Sequence, residues 1–152
     1  MRNVLFSIPI ICSAAILCCA QETSPHLPTG RILPSVSLMQ LIVTPEKYDK
    51  KVVVVKGYVS LEFEDYGLYF SRDDYEHLTG SNGVWLDFEP GVLKDKTQIK
   101  ELQGRYVLVE GVFDAKSFGH MGSFAGTLRR ITRIQVSLNR ADLQRMLRNP
   151  YQ

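Results

Sequence analysis

An all-β domain with short helices, closed into a small barrel, is what this sequence predicts, and three observations carry that reading. The run Lys51 to Phe63, KVVVVKGYVSLEF, is the longest β-prone stretch, and Arg105 to Asp114, RYVLVEGVFD, echoes it. Aligned on their glycines, Val53, Val55, Gly57 and Val59 match Val107, Val109, Gly111 and Phe113 at every second position, the spacing of one buried strand face. A glycine inside each run marks a bend or bulge, which lets one strand serve both sides of a barrel.

Ahead of the domain, residues 1–20 read as a signal peptide. Arg2 precedes a charge-free apolar run from Val4 to Ala20 with small residues at Cys18 and Ala20. That run is at the short end of the roughly 17 to 25 residues a spanning helix uses, which disfavours a retained anchor. All three cysteines, Cys12, Cys18 and Cys19, lie in this leader, so cleavage after Ala20 leaves no thiol and no disulfide framework. Ile16 to Cys19 also loosely resembles the bacterial lipoprotein box, with Cys18 in the place normally held by Gly, Ala or Ser, which makes Cys19 the candidate lipidation site. Both routes place the folded part outside the inner membrane, periplasmic or lipid-anchored to the cell envelope. Residues 21–35, with three prolines, a glycine and no apolar periodicity, read as a flexible spacer in which His26 is solvated.

The barrel domain is expected over residues 36–137. Ser37 N-caps a short helix carrying Leu38, Met39, Leu41 and Ile42, which Pro45 ends and which plugs one end of the barrel. The polar turn PEKYDKK leads into the first strand. Asp65, Tyr66 and Gly67 turn into a second strand, Leu68 to Phe70, and Asn82 and Gly83 introduce a third, Val84 to Phe88. Between Pro90 and Gly104, Val92, Leu93, Ile99 and Leu102 recur among charges as in a helix. The echo strand is fourth and Phe124 to Ser137 supplies the fifth. Three strands, a helix and two more strands, with glycines bending the first and fourth, is the order of a five-stranded OB-like barrel. Residues 138–152 form a basic C-terminal helix, N-capped by Asn139 and closed by Pro150, with Leu143, Met146 and Leu147 on one face and Arg140, Arg145 and Arg148 on the others. Packing of that apolar face on the barrel is the expectation, with an anionic membrane surface as the alternative.

The segments PEKYDKK, GVWLDF, RYVLVEGVF and GHMGSFAGTL, in this order, resemble a group of small bacterial proteins of predicted OB-like fold that carry no assigned activity. The resemblance covers residues 36–134 and implies the fold. It brings no catalytic residue, cofactor or ligand, and the long basic tail departs from that group.

Charge is unevenly placed although the formal total is only +2. Residues 62–89 hold eight acids against Arg72, a balance of −7, whereas residues 129–148 hold six arginines against Asp142, a balance of +5. In OB-folds that bind nucleic acid the second and third strands supply stacking rings and cations. Tyr66, Tyr69, Phe70 and Trp85 fit the first need, but the surrounding carboxylates would repel phosphates, so nucleic acid is the disfavoured alternative. The cluster Asp73, Asp74, Glu76 and His77 matches no metal motif and reads as a solvated turn, so no metal is expected. With no nucleophile motif, no thiol beyond residue 19 and only His77 and His120 as ring bases in the domain, a metal-dependent enzyme is the weaker alternative still, and no catalytic residue or cofactor is assigned.

What remains is a non-catalytic binding module of the envelope that presents loops to an envelope protein or a small ligand. The loop SFGHMGSFAG, between the fourth and fifth strands, is the expected contact surface. Its glycines allow tight turns, while Phe118, His120, Met121 and Phe124 offer more ring and apolar surface than a solvated turn needs. Tyr69 and Trp85 complete the candidate set. The competing account has Phe118, Met121 and Phe124 merely capping the barrel core.

Overall fold

The computed structural model describes residues 33, 35–93 and 95–148. The signal peptide, Cys19, His26, nearly all of the spacer and Pro150 lie outside these residues. Six strands are present: β1 (Ser35–Ser37), β2 (Val52–Val59), β3 (Gly67–Tyr69), β4 (Gly83–Leu86), β5 (Tyr106–Asp114) and β6 (Thr127–Val136). The helices are α1 (Leu38–Val43), α2 (Arg72–Glu76), α3 (Lys96–Leu102) and α4 (Arg140–Arg148), with single 3-10 turns between some of them.

Strands β2 to β6 close on themselves in the order β2, β3, β4, β6, β5 and back to β2. All of these pairings are antiparallel except β4 with β6. With α3 between the third and fourth barrel strands, this is the five-stranded OB-like barrel the sequence predicts. Strand β1, which the sequence reading missed, adds in parallel beside residues 54–56 of β2, so Ser35 belongs to the fold and not to the spacer.

The alternation seen in sequence is the barrel's inner face. Val53, Val55, Val59, Val107, Val109 and Phe113 are fully buried, and Leu68, Val84, Leu86 and Leu128 join them from β3, β4 and β6. Full burial of each such side chain contributes about 1.5 to 3 kcal/mol. Helix α1 closes one end. Ser37 Oγ accepts the Gln40 N–H at 3.2 Å while the Ser37 N–H donates to Gln40 Oε1 at 3.0 Å. This reciprocal cap satisfies two end groups of the helix and lets Leu38 and Leu41 drop into the core.

The two strand glycines differ in role. Gly111 stands at the register shift between Glu110 and Val112 against β6, a bulge. Gly57 pairs regularly with Val107 and is instead a point of close approach: a Cβ there would lie 2.6 Å from Leu68 Cγ and 2.7 Å from the Tyr69 carbonyl oxygen. It stands where the other edge of β2 passes from β1 to β3.

Three expectations are corrected. β2 ends at Val59, not Phe63, because the chain reverses at Glu62–Asp65, where the Asp65 N–H donates to the Glu62 carbonyl at 3.1 Å and Glu64 takes a φ of +60°, which leaves Phe63 exposed. Residues 72–76 are a helix, not a loose turn, because Ser71 N-caps them through the Asp74 N–H at 3.0 Å. The C-terminal helix does not pack its apolar face on the barrel: Leu143, Met146 and Leu147 are 51%, 56% and 73% exposed. The nearby half of β6 presents Arg130, Thr132, Arg133 and Gln135 to solvent, so it offers no apolar surface for that face to cover.

Candidate functional site

The outward face of the same strands is aromatic. Strand parity that points Val59 inward points Tyr58 outward, and Tyr58, Tyr69 and Phe124 form a second buried cluster to which Tyr75 and Trp85 are added. The rings touch in sequence at centroid distances of 5.4 Å for Trp85 and Phe124, 5.7 Å for Phe124 and Tyr69, 5.7 Å for Tyr69 and Tyr75, and 5.4 Å for Tyr75 and Tyr58. Most are edge-on or tilted, the arrangement favoured by ring quadrupoles.

The loop between β5 and β6 is laid over this layer by Gly119. Its φ of +67° suits glycine, and a Cβ would meet Trp85 Cβ at 2.5 Å. The chain therefore crosses directly above the indole, and the His120 ring lies nearly parallel to it, with centroids 6.1 Å apart and planes at 29°. Thr127 Oγ1 donates to the Ser117 carbonyl at 2.8 Å and anchors the other limb of the loop.

Between this loop, the turn after β2 and helix α2 opens a cleft of about 520 Å³. Tyr69, Tyr75, Phe124 and His120 line it, together with the carboxylates of Glu62, Glu64, Asp65 and Glu76. Two carboxylates are held by phenols: Tyr69 Oη donates to Asp65 Oδ1 at 2.6 Å, and Tyr75 Oη donates to Glu62 Oε1 at 2.9 Å. Burial first and the Asp65 bond second push the Tyr69 phenol well above the usual range. For Tyr75 the Glu62 bond leads and burial follows, in the same direction. Glu62 also accepts from Gln103 Nε2 at 3.0 Å. Glu64, at φ +60°, faces His120 with Nε2 4.0 Å from its Oε2. Glu76 pairs with Arg72 Nε at 2.7 Å. Cleft chemistry is thus anionic at the rim and aromatic on the walls, a pairing that suits a cation.

The candidate residues divide. His120, Phe124 and Tyr69 meet at the cleft, with Phe124 and Tyr69 mostly buried as walls. Trp85 lies behind them and lines a smaller hollow of about 270 Å³ with Tyr66 and Phe88. Phe118 and Met121 are 51% and 87% exposed and do not line the cleft, so of the three side chains that might have capped the core only Phe124 is buried. Tyr75 and the carboxylates from residues 62–76 are the lining groups the sequence reading did not select. Their acidic bias was visible, but their position opposite the loop at 120–124 arises from long-range pairing.

The acidic cluster around α2 is occupied locally. Asp74 accepts from Asn82 Nδ2 at 2.7 Å and from Ser71 Oγ. Burial pushes its pKa up, but the Ser71 and Asn82 bonds outweigh it and hold the carboxyl below the usual range. His77 turns toward Asp73 on its own helix, 3.6 Å from Oδ1. Among the described residues, no three His, Cys, Asp or Glu side chains converge as a metal-ligand group. No protein-family model matches the chain, and no curated protein matches it in sequence.

Proposed function

We propose that the protein is an exported, non-catalytic binding module of the bacterial cell envelope and that its ligand surface is the cleft under the loop at 117–126. The observation that carries this reading is the cleft itself: about 520 Å³ of concave surface where Tyr69, Tyr75, Phe124 and His120 stand beside four carboxylates. Such a surface favours a ligand bearing an ammonium or guanidinium group next to apolar or planar surface, as on a basic segment of an envelope protein or a small organic cation. Export is supported by the leader pattern of residues 1–20. Nucleic acid fits poorly. The carboxylate rim of the cleft repels phosphate.

The test is affinity capture from envelope fractions, followed by titration of the captured ligand against Glu64→Gln with Glu76→Gln and against Leu78→Ala with His120→Ala, all four at the cleft. These side chains are exposed, so melting temperature should hold while affinity falls and loses its salt dependence in the glutamine variant. Unchanged affinity in both double variants would sink the assignment of the cleft.

A further inference from the structure

Two apolar surfaces of the described chain are uncovered, and they complement each other. One is the α4 stripe, Leu143, Met146 and Leu147, spaced as the anchors of a helix that lies in a groove. Its polar faces carry Arg140, Arg145 and Arg148 against Asp142. The other is a hollow of about 490 Å³ walled by Met39, Ile42 and Val43 of α1 and by Phe70, with Ser71, Asp74 and Asn82 along one side. Met39, Val43 and Phe70 are 54%, 71% and 46% exposed. Helix α1 carries no charge, and α2 contributes the Asp74 carboxylate to the groove wall. Helix α2 is a shared wall, with Glu76 on the ligand cleft and Asp74 on this groove, so the two sites are separate.

We propose that α4 of a second copy of the chain occupies this groove, and that the exchange is mutual. The apolar stripe matches the apolar walls, and the net positive helix matches the Asp74 carboxylate on the groove wall. The path within one chain disfavours self-docking. In this structure α4 leaves β6 at Ser137, two strands around the closed barrel from β3, and none of Leu143, Met146 and Leu147 lines the groove. Asn139 caps α4 at once, through Asp142 N–H at 2.9 Å, leaving Ser137 and Leu138 as the whole tether, about 7 Å at full stretch. A second copy meets no such restraint. One nine-residue helix makes a small contact against the roughly 1,200 to 2,000 Å² of stable interfaces, and mutual exchange doubles it while closing the assembly as a two-fold dimer.

Sedimentation equilibrium of the wild-type protein, of Val43→Glu, of Leu147→Glu and of an equimolar mixture of the two variants tests the proposal. Both side chains are solvent-exposed in the isolated chain, so the variants keep their melting temperatures as a check on folding. The expected result is a wild-type dimer, weakening of about tenfold or more in each variant alone, and partial recovery in the mixture, which retains one intact helix and groove pair. A monomeric wild type, variants that dimerise unchanged, or a mixture no tighter than its components would each overturn it. So would a Leu147→Glu protein that only loses binding to vesicles containing phosphatidylglycerol, which would make lipid the occupant.

Discussion

The inner and outer faces of this barrel are made by the same strands yet obey different rules. Inside, Val53, Val55, Val107, Val109 and Phe113 are sealed aliphatic and aromatic groups without a polar atom. Outside, Tyr58, Tyr69 and Tyr75 are nearly as crowded, but each brings a phenol, and two of these end on carboxylates at the cleft. The first face can be optimised only for packing, since any polar group there would lose its water. The second combines packing with hydrogen bonding, which holds charge at a surface and makes it the natural place for recognition.

Substitutions should separate the two faces by magnitude. Phe113→Ala, in the sealed interior, should cost about 3 to 5 kcal/mol in urea unfolding, more than Phe124→Ala at the outer layer, where neighbouring rings and loop can close the gap. Equal losses would dissolve the distinction. Gly57→Val forces a side chain against Leu68 and the Tyr69 carbonyl and should cost about 1 to 3 kcal/mol; Gly111→Val, with 3.0 Å to the Arg129 carbonyl oxygen, should cost less within that range. Neutral midpoints for both would count against a closed barrel.

Titration sharpens the contrast further. Asp114, at the end of β5, is held below the usual carboxylate range first by Lys50 at 2.7 Å, with burial opposing and the Lys116 N–H and Arg129 reinforcing. A folded pKa below the unfolded one gives stability that is present above the ordinary carboxylate range and is lost as pH falls through the lowered value. Asp114→Asn should therefore lower stability at neutral pH and flatten the acid limb of the stability curve. Tyr69 behaves in the opposite sense. Its raised pKa means the unfolded phenol ionises first, so stability is full below about pH 10 and falls as pH rises. Tyr69→Phe should remove part of that alkaline loss, at a cost of about 1 kcal/mol near neutrality for the missing bond to Asp65. The smallest stability effect is expected for His120→Ala, within about 0.5 kcal/mol, while ligand capture should fall.

Much of the fold was legible because the relevant signals are local. Alternation at period two marks β2 and β5 whatever surrounds them, and Ser37 and Asn139 announce helix starts because a cap acts within three residues. β1 was not legible, since three residues that pair in parallel with β2 about 19 positions away have no pattern of their own. Nor was the cleft. Residues 62–76 and 120–124 become neighbours through the β3–β4 ladder and the parallel pairing of β4 with β6, contacts that no window of sequence contains.

From sequence alone came the face that β2 and β5 would bury, the starts of α1 and α4 and the split of charge between an acidic stretch and a basic tail. Only the tertiary structure decided that Phe124 is a wall while Phe118 and Met121 stay in solvent, and that Leu143, Met146 and Leu147 find no cover on the barrel. The reason is physical: side-chain parity and capping follow from backbone geometry over a few residues, whereas burial depends on which distant surface arrives to exclude water.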